Sequence, residues 1–273
     1  MRGLMRIPFV KMHGLGNDFV VLDGRTVALP PITSAVVTRL SDRHTGIGCD
    51  QLIVLEADDA ADFRMRIFNS DGGEVGACGN ASRAVALLHG APARIATGGG
   101  LIEVAPGDAG ARVNMGMPRF EWDAVPLAYP LDTASVPAAW EGLADGTAVN
   151  VGNPHIVFFV GDADAIDLGQ IGPVVEHDPL FPQRINVNVA SIHNGQIALR
   201  VWERGAGLTL ACGTGACATA VAAIRRKLVQ SPVTVTLPGG ALQIEWNGGD
   251  SPIIMSGPAA ESYRGTFAWE DYA

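Results

Sequence analysis

Apolar residues along this chain come in short runs rich in Val, Ile and Phe, bounded by Gly, Asp, Asn and Pro, at 19–22, 52–55, 63–68, 156–160, 197–201, 233–237 and 242–246. Runs of this length, enriched in β-branched residues and closed by turn formers, predict strands. Two stretches read differently. Residues 81–88 and 216–228 are Ala-rich and hold no Pro and no interior Gly, which predicts helices. Both are apolar nearly all round at first, so each is expected to lie buried within its own domain.

The pattern is written twice. ACGNASRAVA at 77–86 returns as ACGTGACATA at 211–220, with Cys212 following Cys78 by 134 residues. Asn17, in Gly16-Asn17-Asp18-Phe19, is matched 136 residues later by Asn153, in Gly152-Asn153-Pro154-His155. Arg66-Ile67-Phe68-Asn69 is matched by Arg200-Val201-Trp202-Glu203, again 134 residues on. Each half closes alike, on Met115-Gly116-Met117-Pro118 and Met255-Ser256-Gly257-Pro258. One short match in a Gly- and Ala-rich chain would be chance; an ordered series at nearly one offset marks two homologous halves. The expected architecture is α+β, with two pseudo-symmetric repeats, each a mixed β-sheet wrapped around a central buried helix. The boundaries are expected at 1–118 for the first repeat, joined by a tail at 262–273, and 119–261 for the second. A ligand is expected in the cleft between the repeats.

A chain of 273 residues, 48% hydrophobic, is long enough for two domains of ordinary size. Its net charge of -9, with no run of Lys and Arg, argues against nucleic-acid or anionic-membrane partners and for a small ligand. No apolar stretch is long enough to span a bilayer, and residues 1–16 contain no continuous apolar signal core. The expectation is a cytoplasmic enzyme, with a homodimer as its one macromolecular partner. None of Cys49, Cys78, Cys212 and Cys217 stands at C-x-x-C spacing or beside a completing His, so free thiols and no metal are expected.

Buried cysteine is commonly a small apolar side chain, and that reading suits Cys49 and Cys217. Cys78 and Cys212 hold equivalent positions in both repeats, at the first turn of a buried helix and followed by Gly79-Asn80 or Gly213-Thr214. Backbone N–H groups there lack helical acceptors and carry the positive end of the helix dipole. A thiol pKa is expected to fall toward neutrality at such a position, and a carboxylate can sit on the N–H groups. Two thiols brought to one carbon from opposite faces would provide a base and an acid, which is what inversion at a Cα requires. No pyridoxal motif offers an electron sink, so carbanion charge would rest on the helix termini.

The motifs KMHGLGNDFVVLD, RHTGIGCDQLIVLE, NSDGGEVGACGN, GNPH, FPQRINVNVA and WERGAGLTLACGTGACA resemble, essentially end to end, those of the diaminopimelate epimerases. That family interconverts LL- and meso-diaminopimelate in lysine and cell-wall synthesis. The resemblance implies that Cys78 and Cys212 are the acid–base pair, working without cofactor or metal. It implies that Gly79, Asn80, Gly213 and Thr214 hold the substrate's reacting carboxylate. Asn17, Gln51, Asn69, Asn153, Asn186, Glu203 and Arg204 would bind the rest of the substrate, Arg204 as the bidentate partner of a carboxylate. His155 and Glu203 would lie near the thiols and tune their protonation. The chain departs from the family pattern at Ala81-Ser82, where Gly-Ala is expected, and at Leu208, a position often acidic.

Proline racemases and hydroxyproline epimerases are rivals on the same fold; they place His after the first Cys-Gly, where this chain has Asn80. A thiol redox protein would need the two cysteines to form a disulfide in its cycle. A non-catalytic binding protein would have no use for both thiols.

Overall fold

The computed structural model describes residues 5–107 and 110–273. The chain divides into two compact units, Met1–Val113 with Pro258–Ala273, and Asn114–Gly257. The second unit is therefore inserted into the first.

In the first unit the chain runs β1 (Arg6–Gly14), β2 (Asn17–Asp23), α1 (Ser34–Ser41), β3 (Gln51–Glu56), β4 (Phe63–Asn69), β5 (Glu74–Val75), α2 (Gly79–His89), β6 (Ala93–Thr97), β7 (Gly100–Gly107) and β8 (Gly110–Asn114). β1 and β2 form a hairpin whose two linking residues, Leu15 and Gly16, both have positive φ, the twist that a two-residue hairpin turn demands. That turn starts β2 at Asn17. β2 and β3 are parallel, joined through α1, while β3–β4 and β4–β5 are antiparallel. β6 returns parallel to β4 and pairs antiparallel with β7. The chain's last strand, Ala260–Ala268, pairs antiparallel with β1 from Arg6 to His13, with one register shift after Lys11. One face of this sheet packs on α1 through Ile7, Val20, Leu22, Val37, Leu40, Leu52 and Val54, and Phe267 and Trp269 from the C-terminal segment complete that core.

The second unit repeats the order: β9 (Val136–Trp140), β10 (Leu143–Asn150), β11 (Pro154–Phe159), α3 (Leu168–Glu176), β12 (Asn186–His193), β13 (Gln196–Glu203), β14 (Gly207–Thr209), α4 (Gly213–Arg225), β15 (Val233–Leu237), β16 (Gly240–Glu245) and β17 (Ile254–Gly257). β11 and β12 are parallel through α3, β12–β13 and β13–β14 antiparallel, β13–β15 parallel and β15–β16 antiparallel. This is the pairing order of the first unit. Its core gathers Ile156, Phe158, Leu168, Val175, Val187 and Val189 beneath α3.

α2 and α4 are the central helices. Ten of the thirteen residues of α4 are buried, nearly all Ala, Gly, Cys or Thr. Side chains this small let strands approach a helix from all round without voids. Both helices begin earlier than the sequence suggested, at Gly79 and Gly213, and the cysteines stand one step outside them as N-caps. The sulfur acts where Ser or Asp usually does, accepting an N–H from the first turn. α4 ends at Arg225 rather than at 228, because Lys227 turns left-handed and Leu228 N–H bonds back to Ala223 C=O. α1 and α3 were not foreseen. α3 carries Pro173 in its interior and opens on an Asp167 cap, a pattern that reads locally as a turn.

Candidate active site

In the first unit, Cys78 Sγ accepts the Ala81 N–H at 3.5 Å, and its thiol lies 3.8 Å from Asn17 Oδ1. Asn80 Nδ2 donates to the same oxygen at 3.3 Å. The direction of the Asn17 amide follows from its other end. Nδ2 donates to Asp50 Oδ2 at 3.0 Å, and a carboxylate accepts only, so Asn17 must turn its oxygen to the thiol. Fully buried Arg83 does the reverse for Asn80, donating to its Oδ1 at 2.8 Å. Asp50 is itself fixed by Arg43, which also binds Asp18. Burial pushes the Asp18 carboxyl up, but hydrogen bonds from Arg43 and Lys11 outweigh it and hold the group well below the carboxylate range. Gln51 and Asn69 stand opposite each other on β3 and β4, with Gln51 Nε2 donating to Asn69 Oδ1 at 2.9 Å. Gln51 Oε1 is buried and has no hydrogen-bond partner among the described residues.

In the second unit, Cys212 Sγ accepts the Gly215 N–H at 3.3 Å and lies 3.4 Å from the Thr214 hydroxyl. The side chain is only 4% exposed. Here the expected fall in thiol pKa is corrected. Burial pushes the Cys212 thiol well up, the neighbouring Glu203 carboxylate adds to the rise, and the Thr214 and Gly215 hydrogen bonds offset only part. A helix terminus lowers a thiol pKa where water still reaches it; a dry site beside a carboxylate reverses the balance. Glu203 accepts the Thr209 hydroxyl at 2.6 Å.

His155 is fully buried on β11. Its Nε2 meets Asn153 Oδ1 at 2.9 Å, and its Nδ1 accepts from Asn188 Nδ2 at 3.1 Å. Burial, with a smaller contribution from Arg204, lowers its pKa to about 3, so the ring is neutral. Both ring nitrogens are taken by amides. Its link to Cys212 runs through Asn188, whose Nδ2 also reaches Gly215 C=O at 3.5 Å. Asn186 Nδ2 donates to Pro154 C=O and its Oδ1 accepts the Arg204 N–H at 2.9 Å. The Arg204 guanidinium donates to Gln183 C=O.

Strand register makes the two sets equivalent. Phe19 pairs with Gln51 and Gln51 with Asn69 in the first unit; His155 pairs with Asn186 in the second, where β13 ends on Glu203. The structure thus groups Asn17, Cys78, Gly79 and Asn80, beside Gln51 and Asn69, in one unit. It groups Asn153, His155, Asn186, Glu203, Arg204, Cys212, Gly213 and Thr214 in the other. Asp50, Arg83, Glu176, Asn188 and Thr209 were missed. Asn188 was legible, since it shares a strand face with Asn186 two residues earlier, and so was Arg83, one helical turn after Asn80. Asp50 meets Asn17 across 33 residues and Glu176 meets Gly205 across 29, contacts that no spacing reveals. Among the described residues no group of three or more His, Cys, Asp and Glu could hold a metal ion, and no helix is long and apolar enough to cross a membrane.

A protein named diaminopimelate epimerase from Erythrobacter litoralis (strain HTCC2594) is 65% identical over 98% of this chain and 100% of its own length. Another of that name, from Sphingopyxis alaskensis (strain DSM 13593 / LMG 18877 / RB2256), is 61% identical over 97% of this chain and 98% of its own. The fold is shared more widely. A hydroxyproline epimerase from Agrobacterium vitis, solved with trans-4-hydroxy-L-proline bound, superposes with a TM-score of 0.65 at 14% identity, over 98% of this chain and 94% of its own. The profile described as diaminopimelate epimerase matches residues 9–121 and 147–261, one block for each repeat. With the same thiol-capped helix in both blocks and these identities across nearly its whole length, the chain belongs to the diaminopimelate epimerase family.

Proposed function

We propose that this chain interconverts LL- and meso-diaminopimelate by moving the α-proton between Cys78 and Cys212, in the cytoplasm, on the route to lysine and peptidoglycan precursors. The observation that carries this reading is a cysteine N-cap on the buried central helix of both repeats. The names of the relatives supply the substrate.

In the proposed cycle one thiolate takes the proton from Cα, and the C–H electron pair delocalises into the α-carboxylate. The other thiol then returns a proton to the opposite face. The first cysteine ends protonated and the second deprotonated, so the reverse reaction starts from the mirror arrangement. Cys212, dry and beside Glu203, favours its protonated form. In a pair that shares one proton, which thiol opens the cycle is set by which isomer is bound. The first-turn N–H groups at Gly79 and Asn80, and at Gly213 and Thr214, hold the carboxylate while charge builds on it. One preorganised donor at such a position is worth on the order of 3 kcal/mol of barrier. Asn17, Gln51, Asn69, Asn153 and Asn186, with Glu203 and Arg204, hold the remaining amino and carboxylate groups. Gln51 Oε1, buried without a hydrogen-bond partner among the described residues, suits a substrate ammonium.

The test is to incubate the reduced protein with LL-diaminopimelate in heavy water. Meso product carrying one deuterium at the inverted Cα is expected. No product, or faster turnover of proline or hydroxyproline, would sink the assignment.

A further inference from the structure

We infer that Glu176 is a positioning residue that fixes Glu203 and Arg204 for the reaction. It stands at the C-terminal end of α3, outside every motif that carries the family resemblance, and is only 2% exposed. Its two oxygens go to either side of the Glu203–Arg204 pair: Oε2 accepts the Trp202 indole N–H at 2.7 Å, and Oε1 accepts the Gly205 backbone N–H at 3.1 Å. The nearest cation, Arg184, is 3.7 Å away. A carboxylate is costly to bury unless hydrogen bonds replace its water, and here one replacing donor is Trp202, the β13 residue before Glu203, and the other is Gly205, the residue after Arg204.

Every N–H of that turn is accounted for. Arg204 donates to Asn186 Oδ1, Gly205 to Glu176 and Ala206 to Glu203 C=O. The equivalent hairpin of the first unit keeps the turn bond, Gly72 N–H to Asn69 C=O matching Ala206 N–H to Glu203 C=O, but lacks the clamp. α1 contains no acid, and Asp42, the residue just past its end, accepts the His44 and Thr45 N–H groups instead. The carboxylate clamp therefore belongs to the repeat in which neutral Asn69 is replaced by Glu203 followed by Arg204. A bidentate Arg fork is directional, so a small misplacement of Arg204 forfeits one of its two hydrogen bonds to a carboxylate.

Glu176→Gln tests this. The amide offers one acceptor to two converging donors, so one N–H must face another N–H and the turn must move. KM should rise at least about ten-fold with a smaller fall in kcat. The pH profile of Cys212 alkylation should shift down as Glu203 withdraws, while that of Cys78 stays in place. Trp202→Phe removes one of the two donors, so in the Glu176→Gln/Trp202→Phe double variant the amide oxygen can serve Gly205 alone. KM of the double variant should lie within about three-fold of Trp202→Phe, which is strong non-additivity. An unchanged KM and Cys212 profile in Glu176→Gln, or penalties that simply add, would overturn the inference. If Glu176→Gln alone does not fold, the double variant against Trp202→Phe decides: similar KM supports the clamp and a ten-fold higher KM refutes it. The KM readout rests on the epimerase reading, but alkylation needs no turnover, and failure of that reading would show instead as an inactive wild-type protein.

Discussion

At the scale of single residues, the two cysteines stood out in the sequence because one string occurs twice, and a packing role does not require Cys at both places. Their protonation did not stand out, since the rise at Cys212 depends on burial and on Glu203, nine residues away. Cys78→Ser and Cys212→Ser should each reduce full epimerisation to near zero while the fold survives, because a hydroxyl is too weak an acid to furnish a base at neutral pH. Each variant keeps one armed face. Deuterium exchange at Cα should therefore persist for one stereoisomer only, and for opposite stereoisomers in the two variants. Equal loss for both isomers, in protein that still binds substrate, would argue against opposed faces. His155 makes a separate prediction, for stability. Its folded pKa, about 3, lies below the unfolded value of 6.5, so below pH 6.5 the unfolded chain takes up a proton that the folded chain refuses. Stability should fall with falling pH between those limits, by about 1.4 kcal/mol per unit from this group. His155→Gln should flatten the acid limb by that slope in urea titrations run from pH 6 to pH 3.5; parallel limbs would count against a buried neutral ring.

At the scale of elements, the strands were readable because their Val, Ile and Phe runs are closed by turn formers, and one of them, Val233–Leu237, was read to the residue. α2 and α4 were readable from Ala content. α1 and α3 were not: one is eight residues long, the other holds a proline, and both are helical because each covers a sheet face. The first turn of α4 offers a test in which element and chemistry pull apart. A Cβ added at Gly215 would lie 3.0 Å from Val201 Cγ2 and 3.3 Å from Cys212 Sγ. Alanine favours a helix over glycine by about 1 kcal/mol, so Gly215→Ala should leave the melting temperature within a few degrees of wild type. The displaced sulfur should lower kcat by about ten-fold, with KM little changed. Ala81, the equivalent residue in the first unit, already carries that methyl, and its N–H to sulfur distance is 3.5 Å against 3.3 Å at Gly215. Ala81→Gly should therefore leave activity nearly intact.

At the scale of the whole molecule, internal repetition carried the fold, because matching landmarks in the same order imply matching strand order. The tail expected at 262–273 starts earlier in the structure, with a strand from Ala260, since where a strand begins to close a sheet is settled by pairing rather than by local pattern. The C-terminal segment sets Phe267, on the last strand, and Trp269, just past it, into the core of the first unit. Losing a large aromatic side chain there costs about 3–5 kcal/mol against a total of about 5–15. Deleting residues 258–273 should therefore unfold the first unit. Cys78 should then alkylate at the rate of a free thiol while Cys212 stays protected; protection of both would show that the strand is dispensable. The same insertion bears on how the protein is made. A ribosome releases the chain from its N-terminal end at about 5–20 residues per second, and the domain made first ordinarily folds first. Here the order is inverted. The unit that starts the chain lacks its closing strand until Ala268 has emerged, whereas the inserted unit is complete once Gly257 is out. During synthesis the second repeat can fold to completion while the first still waits with β1 unpaired along one side, an open edge that nascent-chain chaperones would be expected to shield.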